Sequence, residues 1–167
     1  MTSLRAMAHP LRLRMLSLLT GTAMSAAEVA RELDITHANA SYHLRQLLAV
    51  GLLVPAGEES VRGGRAKRYR YDLDAPADTA SDAGEAALYY QAVAAELVRR
   101  AATRRSLGTK GASSDAELWV RPEDWDAAIG QVVQAVMALH RGARPPREDG
   151  TLHVSITTAL FEMDAES

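Results

Sequence analysis

Residues 25–50, SAAEVARELDITHANASYHLRQLLAV, constrain this chain more than any other stretch. Ser25 and Glu28 have the spacing of a capping box, in which the hydroxyl accepts from the third helical N–H and the carboxylate reaches back to the cap. Val29 and Leu33 follow, one turn apart on one face. Asp34-Ile35 interrupts the pattern, and Thr36 has the side chain to cap a second helix. In that second helix Ala40, Leu44, Leu47 and Leu48 converge on one side at ~100° per residue. Two short helices joined by about three residues make a helix-turn-helix.

On the same helical wheel Ala38, Tyr42, Arg45 and Ala49 point away from the apolar stripe, with Asn39, Ser41 and Gln46 on the flanks. Asn pairs with adenine edges and Arg with guanine N7 and O6. Tyr and Ser hydroxyls suit phosphates or bases. The N-terminal half of such a helix is the part that enters the major groove, so His37, Ala38, Asn39, Tyr42 and Arg45 are the leading candidates. Ser25, Thr36 and Ser41 complete the candidate DNA contacts of this stretch. The competing reading is a solvated helix in an ordinary three-helix bundle.

The residues that follow favour DNA. Gly51 is placed to end the second helix. Leu52-Leu53-Val54 reads as a short strand stopped by Pro55, followed by a polar loop over residues 57–66. From Lys67 to Leu73 the pattern alternates, with Tyr69, Tyr71 and Leu73 on one face and Arg68, Arg70 and Asp72 on the other, the period of a half-buried strand. The expectation is a β-hairpin with a basic tip, the wing of a winged helix. Arg62, Arg65, Lys67 and Arg68 are its candidate phosphate contacts, beside or within the minor groove. The alternative is a solvated edge hairpin whose charges guard against aggregation.

Charge is distributed to match. Residues 1–73 hold ten Lys/Arg against six Asp/Glu, and the remainder nine against fifteen. A basic half joined to an acidic one points to DNA at one end and a different partner at the other. The chain has no Cys, which excludes a disulfide framework and any thiolate metal site and fits a reducing cytoplasm. The N-terminal run after Arg5, Arg12 and Arg14 imitates a signal peptide, but its apolar part is short and broken by Ser17, Thr20 and Gly21. An amphipathic helix with Ala8, Leu11, Met15 and Leu18 on one face explains it better, with Pro10 in the first turn. No apolar run is long enough to span a membrane.

Residues 3–73 resemble the ArsR-type winged-helix regulators. The resemblance rests on HPLRLRMLSLL (9–19), the S-x-x-E-V-A-x-x-L-x-I segment (25–35), SYHLRQLLAVGLL (41–53) and GRAKRYRYDL (64–73), including the Ser-x-His-Leu-basic run Ser41, Tyr42, His43, Leu44 and Arg45. It implies a homodimeric repressor that binds an inverted repeat in double-stranded DNA and releases it on a signal. Metal-sensing members use Cys pairs or His/Asp/Glu pairs. This chain has no Cys, and its five histidines (9, 37, 43, 140, 153) show no ligand spacing, so no metal or other cofactor is expected.

Beyond an acidic linker at residues 74–82, residues 84–106 read as one long helix with a stripe of Ala86, Tyr90, Val93 and Leu97. A short strand is expected at 117–120. A helix opens at Pro122, with the stripe Trp125, Ile129, Val132, Val136 and Leu139, and ends at Gly142. A strand over 151–163 closes the chain. Two strands are marginal alone, so this half is expected to dimerise. Tyr89, Tyr90, Trp119, Trp125 and Phe161 are candidates for an effector pocket, with plain core packing as the alternative.

The expected fold class is therefore α+β and mostly helical. A winged helix-turn-helix over 1–73 and a linker over 74–82 precede a C-terminal dimerisation and effector domain over 83–167, built as a long helix and a small strand-helix-strand unit. The expected function is a cytoplasmic, sequence-specific transcriptional regulator whose partners are DNA, a second copy of itself and a small-molecule effector, with no membrane. A winged-helix protein-interaction module is the alternative. Nothing here has the Gly-rich loop, G-x-S-x-G, metal-ligand spacing or Cys nucleophile of an enzyme.

Overall fold

The computed structural model describes residues 2–61, 64–75, 83–104 and 110–163. Helices dominate, and one antiparallel sheet of three strands completes the N-terminal half.

Two helices open the chain, α1 (Ser3–Met7) and α2 (Pro10–Gly21). They are separated because His9 is extended and caps α2, its Nδ1 accepting from the Leu11 N–H at 3.2 Å while Pro10 occupies the first turn. The buried side of α2 is Met15, Leu16 and Leu19; Leu11 and Leu18 pack at its margin. A two-residue strand β1 (Met24–Ser25) leads into α3 (Ala26–Leu33). Both limbs of the capping box form. The Ser25 N–H donates to Glu28 Oε2 at 2.7 Å and the Glu28 N–H to Ser25 Oγ at 3.4 Å. Asp34 then takes a left-handed conformation (φ 53°), which its short polar side chain tolerates and which stops the helix. Thr36 caps α4 (His37–Ala49), accepting from the Asn39 N–H at 3.2 Å.

Gly51, at φ 76°, closes α4. The Leu52 N–H returns to the Leu47 carbonyl and the Gly51 N–H to the Leu48 carbonyl, both at 3.1 Å, which is a Schellman end. The core beneath consists of Ala6, Met15, Leu16, Leu19, Met24, Val29, Ala30, Ala40, Leu44, Leu47, Leu52 and Leu53.

The hairpin is longer than expected. Strand β2 (Leu53–Val61) runs through Pro55, and β3 (Gly64–Tyr71) pairs with it from Leu53↔Tyr71 to Val61↔Gly64. Pro55 does not stop the strand because β2 is an edge strand in the order β1-β3-β2, where a missing N–H breaks no ladder. The register shifts between Pro55 and Glu58, where Gly57 takes φ 101°. Residues 57–61 and 64–66 are thus strand rather than loop.

Helix α5 (Ala83–Ala101) packs on α1 and α2. Its inward face differs from the predicted one. Ala92 and Glu96 are buried while Tyr90 and Leu97 are exposed, so the seam is Glu85, Tyr89, Ala92 and Glu96, one position round from Ala86, Tyr90, Val93 and Leu97. Polar pairing decides the rotation. Glu85 accepts from the Thr2 hydroxyl at 2.6 Å and pairs with Arg5 of α1 at 3.7 Å, and Arg99 clasps the buried Glu96 carboxylate.

Helix α6 (Pro122–Arg141) begins at Pro122 and ends at Gly142 as expected, yet none of its residues is fully buried. The two flanking strands do not form: residues 117–120 and 151–163 enter no ladder. The one described sheet belongs to the N-terminal half, and neither segment joins its edges β1 and β2. The strand-helix-strand unit is therefore not formed within one chain. The last segment runs beside α5, with the Arg100 guanidinium donating to the Ile156 carbonyl and Thr157 Oγ1, both at 3.2 Å. The turn after α6 reaches the helix-turn-helix: Arg147 pairs with Glu32, and the Arg144 backbone lies against Gly21.

Candidate nucleic-acid interface

Helix α4 presents two opposite faces. Ala40, Leu44 and Leu47 are buried against α2 and α3, fixing its rotation. Thr36, His37, Ala38, Asn39, Tyr42 and Arg45 are exposed together on the other side, and Ser41 is half-buried at the margin. Of the groups the wheel places outward, Ala38, Tyr42, Arg45 and Ala49 are all exposed, and of those on its flanks Asn39 is exposed while Ser41 and Gln46 are half-buried. A recognition helix needs this arrangement, a packed side that holds it and a polar side free to meet base edges.

Ser25 lies elsewhere. It is 6% exposed and its hydroxyl sits 2.9 Å from Glu28 Oε2, so its polar groups serve the α3 cap.

The wing residues divide. Arg65 and Lys67 are exposed, Arg65 pairing at the surface with Glu58 at 2.9 Å. Arg68 is half-buried. It bonds to the Ala23 carbonyl, pairs with Glu28 at 3.2 Å and contacts Glu59. Its guanidinium holds the wing to β1 and α3 instead of projecting to solvent. The reason is register: Ser25 is the β1 partner of Arg68, which brings the capping-box carboxylate within reach. Arg70 is exposed on the same strand, on the opposite side of it from Arg65 and Lys67 by strand alternation. Arg62 lies outside the described residues.

One cluster behind this face belongs to no sequence motif. His43 is 7% exposed and its ring centroid is 4.8 Å from that of His9, at 49°. Tyr42 meets the other side of His43 edge-on at 5.1 Å. Burial lowers the His43 pKa below its ordinary value, and the neighbouring His9 and Arg12 lower it further. His9 is lowered likewise by burial and then by Arg12. The only signal in the sequence was His43 within Ser-x-His-Leu, on a position that the apolar stripe nearly includes.

The five aromatics proposed for an effector pocket do not line one cavity. Tyr89 and Tyr90 rings lie 5.2 Å apart and Tyr90 and Phe161 5.5 Å, but Trp119 is 91% exposed. An open apolar groove lies instead between α6 and the last segment, lined by Ile129, Val132, Val133, Val136, Met137, Thr158 and Leu160.

No helix among the described residues is long and apolar enough to cross a membrane. A comparison with curated proteins finds no match. A family model described as a helix-turn-helix domain, from a family found in ArsR-type regulators, matches residues 7–55. The span from the end of α1 through α2, α3 and α4 to Pro55 is a helix-turn-helix domain.

Proposed function

We propose that this protein is a sequence-specific DNA-binding transcriptional regulator of the ArsR type. It acts as a homodimeric repressor on an inverted repeat, and it catalyses no reaction of its own. The observation that carries this reading is the outward face of α4, where His37, Ala38, Asn39, Tyr42 and Arg45 are exposed together above a fully buried stripe. Asn39 and Arg45 have the donors and acceptors that discriminate bases in the major groove. Arg65 and Lys67 flank them on the wing and supply sequence-independent attraction to phosphates. A protein-interaction module with no DNA role would not need cations beside this face.

The C-terminal half supplies the second subunit contact and the seat of a small-molecule signal. The support is physical: α6 buries none of its residues within one chain, while Val133 and Leu139 on it and Leu118, Trp119, Leu152 and Val154 beside it stay exposed. A monomer rarely leaves so much apolar surface uncovered.

The test is a mobility shift and footprint on the DNA upstream of the protein's own gene, at two salt concentrations. A protected inverted repeat is the expected result. Arg45→Ala should relax base preference at a cost of about 1–3 kcal/mol. Arg65→Ala/Lys67→Ala should weaken all DNA alike and flatten the salt dependence. No shift of any fragment at low salt defeats the reading.

A further inference from the structure

The corner where α2 begins and α4 passes contains three cationic or titratable groups, two of which have a buried polar atom without a described partner. His9 uses Nδ1 as an acceptor, taking the Leu11 N–H that opens α2. His43 points into the same corner from α4, and its Nδ1 is buried without a hydrogen-bond partner among the described residues. Arg12 lies beside both. Its Nη2 donates to the Arg5 carbonyl at 3.1 Å, and its Nε is buried without a described partner.

The groups facing the two rings are Arg12 from α2 and Tyr42 from α4, with Arg5 of α1 behind Arg12. Glu85 of α5 is engaged by Thr2 and Arg5. The charges that act on the imidazoles are thus Arg12 and the imidazoles themselves.

Adding a proton here conflicts with the geometry in three ways. A protonated His9 Nδ1 can no longer accept from Leu11, and the α2 cap is lost. A protonated His43 gains a buried N–H donor with no acceptor. Either charge sits against Arg12 and the second ring, and no carboxylate among the described residues is paired with either ring. The effects meet where the start of α2 packs against α4, and His43 is one residue from Tyr42 on the exposed side of α4.

We propose that His9 and His43 form a proton-responsive seat for the recognition helix, so that acidification loosens α4 and weakens DNA binding. The weakening of DNA binding rests on the regulator reading above; the loosening of α4 does not. The sign is unusual. Acid normally strengthens protein–DNA contact, because added positive charge attracts phosphate. Here the buried pair opposes it. Both native values lie below the ordinary 6.5, so the neutral rings stabilise the fold fully above that pH. That stability is lost as pH falls below 6.5 toward the native values.

Three measurements on the full chain test this. The first two follow the histidine ring resonances by NMR and thermal unfolding between pH 5 and 8. The third is the affinity for a duplex spanning the upstream region of its own gene, at constant ionic strength. Wild type is compared with His9→Asn/His43→Gln, which keeps a capping side chain and a polar neighbour but cannot titrate. The expected result is two rings titrating below 6.5, a melting temperature that drops in acid, and affinity that weakens by up to about tenfold per pH unit for each proton taken up as α4 loosens. The double variant should lose both pH dependences and bind more tightly in acid. Rings that titrate at or above 6.5, or an acid loss of affinity unchanged in the variant, overturn the proposal. pH-independent binding with low-titrating rings overturns it while leaving the regulator reading intact. Absence of binding at every pH overturns the regulator reading and, with it, the effect on DNA; the melts then decide the seat alone.

Discussion

Arg68 of the wing and Glu28 of the helix-turn-helix lie 3.2 Å apart, so the residue that caps α3 also anchors β3. Arg68→Ala should cost about 1–2 kcal/mol, since it removes a charged hydrogen bond to a backbone carbonyl and two partly screened ion pairs. Lys67→Ala, one position away and exposed, should change stability by less than about 0.5 kcal/mol. Urea unfolding of the two variants side by side checks the contrast. Equal losses would remove Arg68 from its structural role.

Ser25→Ala removes the α3 cap and should lower stability by about 1 kcal/mol. Because Ser25 is buried, DNA affinity measured where the variant is fully folded should stay at the wild-type value. A loss of affinity without a loss of stability would restore Ser25 to the DNA-contact surface.

Glu28 predicts an acid effect of its own. Burial alone would raise its carboxyl, but hydrogen bonds from the Ser25 backbone and hydroxyl, with Arg68 beside it, outweigh burial and hold it below the usual 4.5. A depressed native value gives stability that is present above 4.5 and lost as pH falls through the native value. Thermal melts between pH 6 and 3 should fall less steeply in Glu28→Gln than in wild type. Because this window lies below that of the histidine pair, the two effects separate on one pH axis.

Gly21→Ala tests the contact between the two halves. A Cβ at Gly21 would stand 2.4 Å from the Arg144 carbonyl oxygen. In a free helix the exchange stabilises by roughly 0.5–1 kcal/mol. Here the backbone must move, and a net loss of about 1–3 kcal/mol is expected from overpacking. A raised melting temperature would mean that the turn after α6 does not rest on α2.

The helix-turn-helix was legible because each boundary has its own local chemistry: Ser25 with Glu28, Thr36 as cap, Gly51 as terminator. The wing was legible in place but not in length, since Pro55 reads as a breaker until β2 is known to be an edge. Strand β1 has two residues, too few for any period. The rotation of α5 was hidden because Glu85 and Glu96 face inward, held by Thr2, Arg5 and Arg99, and hydropathy ranks such positions as solvent. Arg68 looked like Arg65 and Lys67 in sequence; only its register opposite Ser25 separates them. The flanking C-terminal strands were read from alternation, which shows that a segment suits a sheet but not that a partner strand is present.

That unpaired final segment has a colloidal consequence. Residues 152–161, LHVSITTALF, contain no Asp, Glu, Lys, Arg or Pro. Outside any ladder, and with the Ile156 carbonyl alone engaged by Arg100, their backbone N–H and C=O groups suit pairing with like segments, and such uncharged windows are where cross-β assembly nucleates. Heat inactivation of this protein is therefore expected to end in irreversible precipitate, and a single Lys placed on the outer side of this window should delay it.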